Sequence, residues 1–337
     1  MPQATPHADR RIGLTLPNRG ALFGVTSPQA LFRMAEQAEA SGLVDSVWVG
    51  DGVVCKPRPD SIVMLAGLAA RTERLRLAVG CFASFIMRHP VLLATQWASL
   101  DLVAGGRTVL TACLGGIGPG ADEENAAFGI RPGERVGRLL EGIELLRRLW
   151  SEENVSHEGR FYTLRNLSVQ PRPAAVPPIW IANNVRGNVG ESDAVKRSLR
   201  RVARHADGWM TNGPTPEEFA ARLDYLHEAM REEGRDPANL DTSLYFNVNL
   251  KRDRDEAIDE TQRFLETYYE QPWPPERLAR WTALGSADEA IAHLNRYYEA
   301  GVREITLRIT SWDQQAQFDQ LLGEIFPALK SSAQVRA

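Results

Sequence analysis

Residues 45–51 read Asp-Ser-Val-Trp-Val-Gly-Asp, a short run of β-branched and aromatic residues between polar and turn-forming ones, which predicts a buried strand. Similar runs recur from end to end of the chain with amphipathic stretches between them, a pattern typical of βα units. Eight runs occur, at residues 12–16, 46–49, 75–79, 108–114, 178–182, 207–210, 244–250 and 304–309. Because eight parallel strands close a barrel, the sequence predicts the α/β class and a (β/α)8 TIM barrel.

The stretches between the runs carry the signals that begin and end helices. Ser27 and Pro28 supply a cap and a first-turn proline, and Gly42 follows the last residue of that amphipathic pattern. Residues 215–218 and 286–289 both read as capping boxes. These helices begin where a barrel needs them.

Two connections are longer than a single βα unit requires, and they predict insertions after strand 4 and strand 7. The inserted segments at or near the barrel mouth are expected at 115–130, 151–177 and 251–285. No linker divides the chain, so residues 1–337 are interpreted as one barrel domain, with a disordered polar tail at 1–10.

Composition and charge exclude several classes of protein. The chain has 337 residues and a formal net charge of −4, which argues against a partner such as nucleic acid or an anionic membrane surface. No stretch is long and apolar enough for a membrane span, and the first ten residues lack the apolar core of a secretion signal. The three cysteines form no C-x-x-C pair, so we expect a cytoplasmic protein.

The motif search finds neither a metal site nor a nucleophile. The six histidines form no H-x-H or H-x-x-H pair, so no metal is predicted. No G-x-S-x-G elbow is present, and the glycines of 115–120 lack the ending of a P-loop. Ligands of such barrels bind where the strands end, and here those ends are rich in small, amide and apolar residues. Such a rim suits a cofactor that brings its own chemistry.

The sequence resembles a known family, the luciferase-like flavin-dependent oxidoreductases. This family includes bacterial luciferase, alkane monooxygenases and deazaflavin-dependent reductases. The resemblance runs from about Arg11 to about Ile309. It is carried by Ile12-Gly13-Leu14, residues 45–51, Arg88-His89-Pro90, residues 99–107, Phe128-Gly129-Ile130, Arg135, Glu141, residues 157–162, residues 177–182 and residues 206–209.

The resemblance implies a barrel with a flavin-type ring lying across the strand ends, and a homodimer formed through helices of the first half. It implies reduced FMN as the cofactor, delivered by a flavin reductase or another source of reduced cofactor, with the deazaflavin coenzyme F420 as the alternative. The partner at the barrel mouth would be a small organic substrate, covered by the segment 251–285 with Trp273 and Trp281.

Individual residues follow from the same resemblance. Asp51 stands where many relatives have an Asp-His pair and is a predicted catalytic residue, although Gly52 replaces the histidine. Cys81, Phe82 and Ala83 match a bulge that presses on the flavin ring, often through a cis peptide bond that does not involve proline. The resemblance thus makes these three residues part of the cofactor site.

Cys113 matches the reactive cysteine of luciferase and is the second predicted catalytic residue, with contact to the cofactor. The next residue, Leu114, departs from the pattern, since luciferase has a phosphate-binding arginine there. The structural alternative is that Cys113 is a small buried filler.

Cofactor phosphate recognition is predicted after the fifth and sixth strands. Asn183, Asn184, Arg186 and Gly187 follow the fifth run, and Thr211 follows the sixth. The alternative for these polar residues is solvation of a turn. Three functions therefore stay open: an FMN-dependent monooxygenase as the main interpretation, a deazaflavin-dependent hydride-transfer reductase or dehydrogenase, and a flavin-binding relative without catalysis.

Overall fold

The computed structural model describes residues 10–116, 120–190 and 192–334. The strands within these ranges are β1 (Arg11–Leu16), β2 (Ser46–Val49), β3 (Arg76–Phe82), β4 (Thr108–Ala112), β5 (Val155–Glu158), β6 (Thr163–Leu167), β7 (Ile179–Ala182), β8 (Gly208–Thr211), β9 (Asp241–Leu250), β10 (Thr282–Gly285) and β11 (Glu304–Ile309). Eight of them pair in parallel in the order β1-β2-β3-β4-β7-β8-β9-β11, and β11 pairs with β1. The predicted (β/α)8 barrel is confirmed.

Helices surround this barrel. They are α1 (Pro28–Ser41), α2 (Ser61–Ala69), α3 (Pro90–Ala104), α4 (Ala121–Ala127), α5 (Arg135–Ser151), α6 (Asp193–His205), α7 (Pro216–Glu232), α8 (Arg254–Tyr269), α9 (Pro275–Ala279), α10 (Ala287–Glu299), α11 (Gln314–Gln320) and α12 (Phe326–Gln334). The expected caps are present: Ser27 Oγ accepts from the Ala30 amide at 3.1 Å, and Thr215 and Ser286 form capping boxes. Among the helices of the described ranges, none is long and apolar enough to cross a membrane.

The barrel is filled at its centre and closed at one end. Trp48 and Trp180 pack inside it with ring centroids 5.6 Å apart, and both are fully buried. Where the strands begin, Glu304 Oε2 lies 3.6 Å from Arg11 Nε and 3.6 Å from Arg76 Nη2, and Asp241 pairs with the same two arginines. The opposite end, where the strands finish, is therefore the end that can admit a ligand.

One strand is not signalled by the sequence. β10 lies in the segment 251–285 that was expected to be an insertion, and it pairs in parallel with the last four residues of β9. Its four residues directly precede the capping box at Ser286, so neither length nor alternation marks it as a strand. Two strands also end at other residues than the predicted runs 75–79 and 108–114. β3 continues to Phe82 through a register shift, and β4 ends at Ala112.

The other two segments that were expected to be insertions, 151–177 and 115–130, contain different elements. The segment 151–177 contains the β5–β6 hairpin, which contacts α5, where Glu141 accepts from the amides of Phe161 and Tyr162 at 3.1 and 2.9 Å. The segment 115–130 contains α4, and its residues 117–119 lie outside the described ranges. Most of the expected tail, residues 1–9, lies outside them as well.

Candidate active site

A cleft opens where the barrel strands end. It has an inner recess of about 150 Å³ and an outer chamber of about 660 Å³. The residues that line both parts are Cys81, Ala83, Asn184, Asn212, Tyr269 and Trp281. The cleft therefore unites the ends of β3, β7 and β8 with the inserted segment 251–285, as the barrel rule predicts.

Asp51 lines the inner recess and is 7% exposed. Its Oδ1 accepts from Ser61 Oγ at 2.8 Å, at the start of α2, and its Oδ2 accepts from the amide of Ser84 at 2.7 Å. Both carboxylate oxygens thus connect the end of β2 to the chain that follows β3. This geometry gives Asp51 a positioning role in the wall of the recess, and its predicted catalytic role stays a prediction.

The missing histidine has a structural explanation. A Cβ atom on Gly52 would lie 2.5 Å from the carbonyl oxygen of Lys56, so the loop after β2 has no room for a side chain there. A Cβ on Gly50 would collide with the guanidinium of Arg58, which lines the inner recess. Arg58 therefore brings a cation to the part of the recess next to Asp51.

The bulge at the end of β3 is present. The Gly80–Cys81 peptide bond is cis, as the resemblance implies. Cys81 and Ala83 line both parts of the cleft, but the Phe82 side chain points away and packs against Phe85 and Trp97 in the core. Phe82 is therefore a core residue whose side chain does not reach the cofactor site, because alternate residues of a strand face opposite sides.

Cys113 faces Cys81 across the boundary between β3 and β4. The two Sγ atoms share a hydrogen bond at 2.7 Å, and both cysteines line the outer chamber. The bond to Cys113 lowers the pKa of Cys81. The same bond and burial raise the pKa of Cys113 well above its ordinary value. Of the two thiols, Cys81 is the one that ionises more readily.

The predicted phosphate residues divide into two groups. Asn184, Arg186 and Gly187 line the outer chamber, and Thr211 lines the inner recess. Asn183 is turned away, since its Nδ2 donates to Ser198 Oγ of α6 at 2.9 Å and its carbonyl accepts from Thr211 Oγ1 at 2.7 Å. Asn183 thus holds the base of the loop and does not face a ligand, and phosphate binding by the other four residues stays a prediction.

The outer chamber is rich in positive charge. We call the side chains of Lys56, Arg186, Arg222 and Arg277, which line it, the cationic rim. None of the four makes an ion pair with a carboxylate within the residues that the structure describes. Two carboxylates also line the chamber, Glu276 and Glu218, and Glu218 pairs with Arg280. Burial and the charge of Arg186 lower the pKa of Arg277, so these two cations disfavour one another. Such a set of donors fits an anionic group.

Besides Arg58 and the cationic rim, another cation lies beneath the inner recess. Arg308 of β11 is fully buried, and its Nε and Nη2 donate to Asn247 Oδ1 at 3.0 and 2.8 Å. Its Cζ lies 4.6 to 5.3 Å from the ring centroids of an aromatic cage made of Tyr245, Tyr268, Tyr269 and Trp281. Within the described ranges the guanidinium has no carboxylate partner, and its Nη1 donates to Tyr269 Oη at 2.7 Å.

The cage and the cationic rim contain functional candidates that sequence reasoning did not identify. Tyr269 comes from the last residue of an inserted helix, and nothing in the local sequence places it at the cleft. Arg308 did leave a signal, because a charged residue stands inside the predicted strand 304–309. Elsewhere in the described chain, no group of three or more His, Cys, Asp or Glu side chains could hold a metal ion.

The cleft fits a flavin-type cofactor by its donor set. Cys81 and Ala83 line both parts of the cleft, and the cationic rim lines the outer chamber, so these residues could hold a flavin-type ring and its phosphate-bearing side chain. The Asn184 side chain is fixed for such a contact by the amide of Asn212, which donates to its Oδ1 at 3.0 Å. The inner recess then remains for a substrate beside the ring.

Comparisons with known proteins agree with this geometry. The sequence profile of the family described as luciferase-like monooxygenase matches residues 11–322. An F420-dependent glucose-6-phosphate dehydrogenase from Kineococcus radiotolerans is 28% identical over 332 residues, which cover 90% of this chain and 94% of that protein.

Solved structures support the same fold. An F420-dependent secondary alcohol dehydrogenase in complex with an F420-acetone adduct has a TM-score of 0.81 at 18% identity, covering 95% of this chain and 99% of that chain. A monooxygenase from Streptomyces bottropensis has a TM-score of 0.72 at 23% identity, covering 94% and 99%. By its profile match over most of its length, the chain belongs to the luciferase-like monooxygenase family and is an oxidoreductase.

Proposed function

We propose that this protein is an F420-dependent dehydrogenase that oxidises an alcohol group of a small molecule by hydride transfer. The observation that carries the proposal is the cationic rim, together with a relative over 90% of the chain whose name specifies F420. This choice takes the deazaflavin alternative of the sequence interpretation in preference to FMN and oxygen transfer.

Charge distinguishes the two cofactors. FMN ends in a single phosphate, whereas the deazaflavin coenzyme carries a phosphodiester followed by glutamate carboxylates. Four cations without carboxylate partners among the described residues exceed what one phosphate needs, and they match a longer anionic side chain. Arg222 also anchors the phosphate loop, since its Nη2 donates to the Gly187 carbonyl at 2.9 Å.

Each part of the cleft then has a task. The bound cofactor supplies a ring carbon that accepts or returns a hydride. Cys81 and Ala83 would contact the ring, and the cationic rim would hold its anionic side chain. Arg58 can donate hydrogen bonds to a hydroxyl in the inner recess, which the phenols of Tyr245 and Tyr269 also line. Trp281 closes the recess on the side of the inserted segment and limits the entry of water.

The FMN-dependent monooxygenase remains the second candidate, favoured by the family description and by the structural similarity to a monooxygenase. In that case a flavin reductase or another source of reduced flavin would be the partner. Binding and turnover experiments separate the two candidates.

The test uses the full chain. Fluorescence titration should give F420 a dissociation constant at least ~10-fold below that of FMN, since added charge contacts contribute on the order of 1.5–3 kcal/mol each. Loss of oxidised F420 absorbance with alcohols, including glucose 6-phosphate, measures hydride transfer. Oxygen consumption with reduced FMN and a flavin reductase measures the other activity. Tighter FMN binding with oxygen-dependent turnover would overturn the proposal.

We also propose that the protein is a homodimer. Helix α3 carries apolar residues on every side, and Leu92, Leu102 and Val103 are more than half exposed, as is Val63 of the neighbouring α2. A helix that is apolar all round is normally covered. A second copy of this chain is the occupant that the family resemblance implies. The cytoplasmic location stays a prediction.

A further inference from the structure

Tyr269 occupies a distinctive place in the cleft. It lines both the inner recess and the outer chamber, and it is one of the few titratable side chains of the recess. Its Oη accepts from Arg308 Nη1 at 2.7 Å and forms a second hydrogen bond with Tyr245. The hydroxyl is thus held in place by two partners while the side chain stays partly exposed to the cleft.

The partner of Tyr269 is itself held rigidly. The Arg308 guanidinium is fully buried, and the two bonds to Asn247 Oδ1 fix its plane. A buried cation without a carboxylate partner in the described chain stabilises negative charge on any acceptor that it contacts. The acceptor here is the Tyr269 oxygen, so Arg308 stabilises the deprotonated form of that hydroxyl.

Other candidates for proton transfer are less suitable. Position 52 has no side chain and no room for one, and both oxygens of Asp51 are engaged by Ser61 and Ser84. Cys81 Sγ is engaged by Cys113. Within the described ranges no histidine lines either part of the cleft. Protonation of Asp51 would weaken the two hydrogen bonds that hold the chain after β3, whereas the Tyr269 oxygen contacts a buried cation. The phenols of the recess are therefore the better candidates for the base.

We propose that the Tyr269 hydroxyl is the proton-transfer group of this enzyme, taking the hydroxyl proton of an alcohol in the inner recess. The inference rests on the proposed function, because it concerns the same reaction at the same site. It assigns to Tyr269 and its buried cation Arg308 the task that a histidine performs in several relatives and that Gly52 cannot perform.

The carbinol C–H bond breaks and its electron pair leaves with the hydrogen as hydride to oxidised F420. The O–H bond breaks, its electron pair becomes the second bond of the product carbonyl, and the proton passes to the deprotonated Tyr269 oxygen. The substrate is oxidised by two electrons and F420 is reduced by two. In the reverse direction Tyr269 donates the proton.

The charges around Tyr269 favour this role. Burial raises its pKa, but the charges of Arg308 and Arg58 and the hydrogen bonds from Arg308 and Tyr245 outweigh burial and leave the pKa below its ordinary value. Tyr245 is different, because burial raises its pKa well above the ordinary value. Tyr269 is therefore the phenol of the pair that ionises first.

The other groups that face Tyr269 come from several elements. Lys56 Nζ, in the loop after β2, lies 5.3 Å from its ring centroid, and Arg277 of α9 lies within electrostatic range. Asp51, in the same recess, interacts with Arg58, and Tyr268 is the neighbour of Tyr269 in α8. The surrounding groups are thus mostly cationic, which favours the phenolate.

The first experiment needs neither cofactor nor substrate. Titration of the free protein, followed by tyrosinate absorbance, should show one tyrosine that ionises at lower pH than the rest. Tyr269→Phe should remove that step. Arg58→Gln should move it to higher pH, because one of the two stabilising charges is lost. The control Tyr162→Phe, in the hairpin beside His89 and away from the cleft, should leave the step in place.

The second experiment uses turnover and F420 binding. Tyr269→Phe should keep F420 affinity within ~3-fold and lower kcat/KM for the alcohol by ~100-fold or more, the usual range for a lost acid–base group. Arg58→Gln should shift the acidic limb of the pH profile to higher pH. An unchanged absorbance titration in Tyr269→Phe, or kcat/KM within ~3-fold of the wild type, overturns the inference. Failure of the wild type to bind F420 would instead overturn the proposed function.

Discussion

The Sγ atoms of Cys81 and Cys113 share a hydrogen bond at 2.7 Å, although 32 residues separate them in the chain. The bond joins the ends of two neighbouring barrel strands at the floor of the outer chamber. It lowers the pKa of Cys81 and, with burial, raises the pKa of Cys113. Because of their placement, we expect the two chemically identical side chains to differ in reactivity.

Replacement of Cys113 should make Cys81 less reactive. In a Cys55→Ser background, Cys113→Ala removes the bond that lowers the pKa of Cys81, so less thiolate is present at neutral pH. Alkylation of Cys81 by iodoacetamide should slow by about 3- to 10-fold. Bound F420 should protect Cys81 if the ring lies over the bulge, and mass spectrometry of the modified peptide measures both effects. An unchanged rate in the Cys113→Ala variant would contradict the assignment.

Restoring the family's histidine at position 52 should not restore a family active site. Gly52→His places a Cβ 2.5 Å from the Lys56 carbonyl oxygen, so the loop that carries Arg58 must move. We expect a loss of about 1–3 kcal/mol in the free energy of unfolding, as for other overpacked positions, and no gain in turnover. Gly133→Ala, where no atom lies within 4 Å of the new Cβ, is the matched control. Urea unfolding measures the loss of stability, and steady-state assays measure turnover. A Gly52→His variant that is as stable as the wild type and more active would contradict this prediction.

The barrel could be predicted because its elements are specified locally. The run 46–49 and the run 304–309 became β2 and β11 with the same ends, since apolar runs bounded by turn residues leave little choice. The capping boxes at Thr215 and Ser286 begin α7 and α10 as expected. β10 could not be predicted, because four residues beside a capping box carry no strand pattern. Only their pairing with β9 makes them a strand.

The site could be predicted in part for the same reason. Asp51, Cys81, Cys113 and Asn184 follow strands whose ends converge, so topology alone brings them together. Tyr269 could not be predicted, because the packing of an inserted helix places it. The Phe82 side chain faces the core because alternate residues of a strand face opposite sides, which the resemblance alone did not indicate.

Glu260 should make the free energy of unfolding of the barrel depend on pH in the acidic range. The buried carboxylate of Glu260 accepts from Asn249 Nδ2, Ser311 Oγ and the Trp312 amide at 2.8 to 3.1 Å. Burial raises its pKa, but these bonds and Lys251 outweigh burial and leave the pKa below the ordinary 4.5. Its stabilising contribution is therefore complete above the ordinary pKa and is lost as pH falls through the lower, native one.

The matching variant is Glu260→Gln. It should lower the free energy of unfolding by about 1–3 kcal/mol at neutral pH, and the difference from the wild type should shrink as the pH falls below the ordinary glutamate pKa. Urea unfolding at several pH values measures this. Glu228→Gln, on the exposed side of α7, should show no such dependence. A difference that grows toward acid would contradict the assigned direction of the pKa.

The dimer predicted through α3 should come apart when its exposed apolar side chains are charged. Leu102→Asp with Val103→Asp places two carboxylates on the surface that we assign to the second copy, and burying them there would cost several kcal/mol. Light scattering after gel filtration should show a dimer for the wild type and a monomer for the variant. Leu22→Asp, at another exposed apolar side chain, should remain a dimer. A wild-type monomer would remove the proposal.

The cationic rim should discriminate between cofactors by charge. Arg186→Ala and Arg277→Ala each remove one cation from the outer chamber without removing a carboxylate partner in the described chain. We expect each change to weaken F420 binding by roughly 10-fold, since a hydrogen bond to a charged group contributes on the order of 1.5–3 kcal/mol. Added salt should also lower the affinity of the wild type for F420 more steeply than that of either variant. Each variant has one charge contact fewer that salt can screen. Arg200→Ala, on the exposed side of α6 where the arginine pairs with Glu232, is the matched control and should bind F420 as the wild type does. If both rim variants kept the wild-type affinity and salt dependence, the outer chamber would not be the place where the anionic part of the cofactor binds.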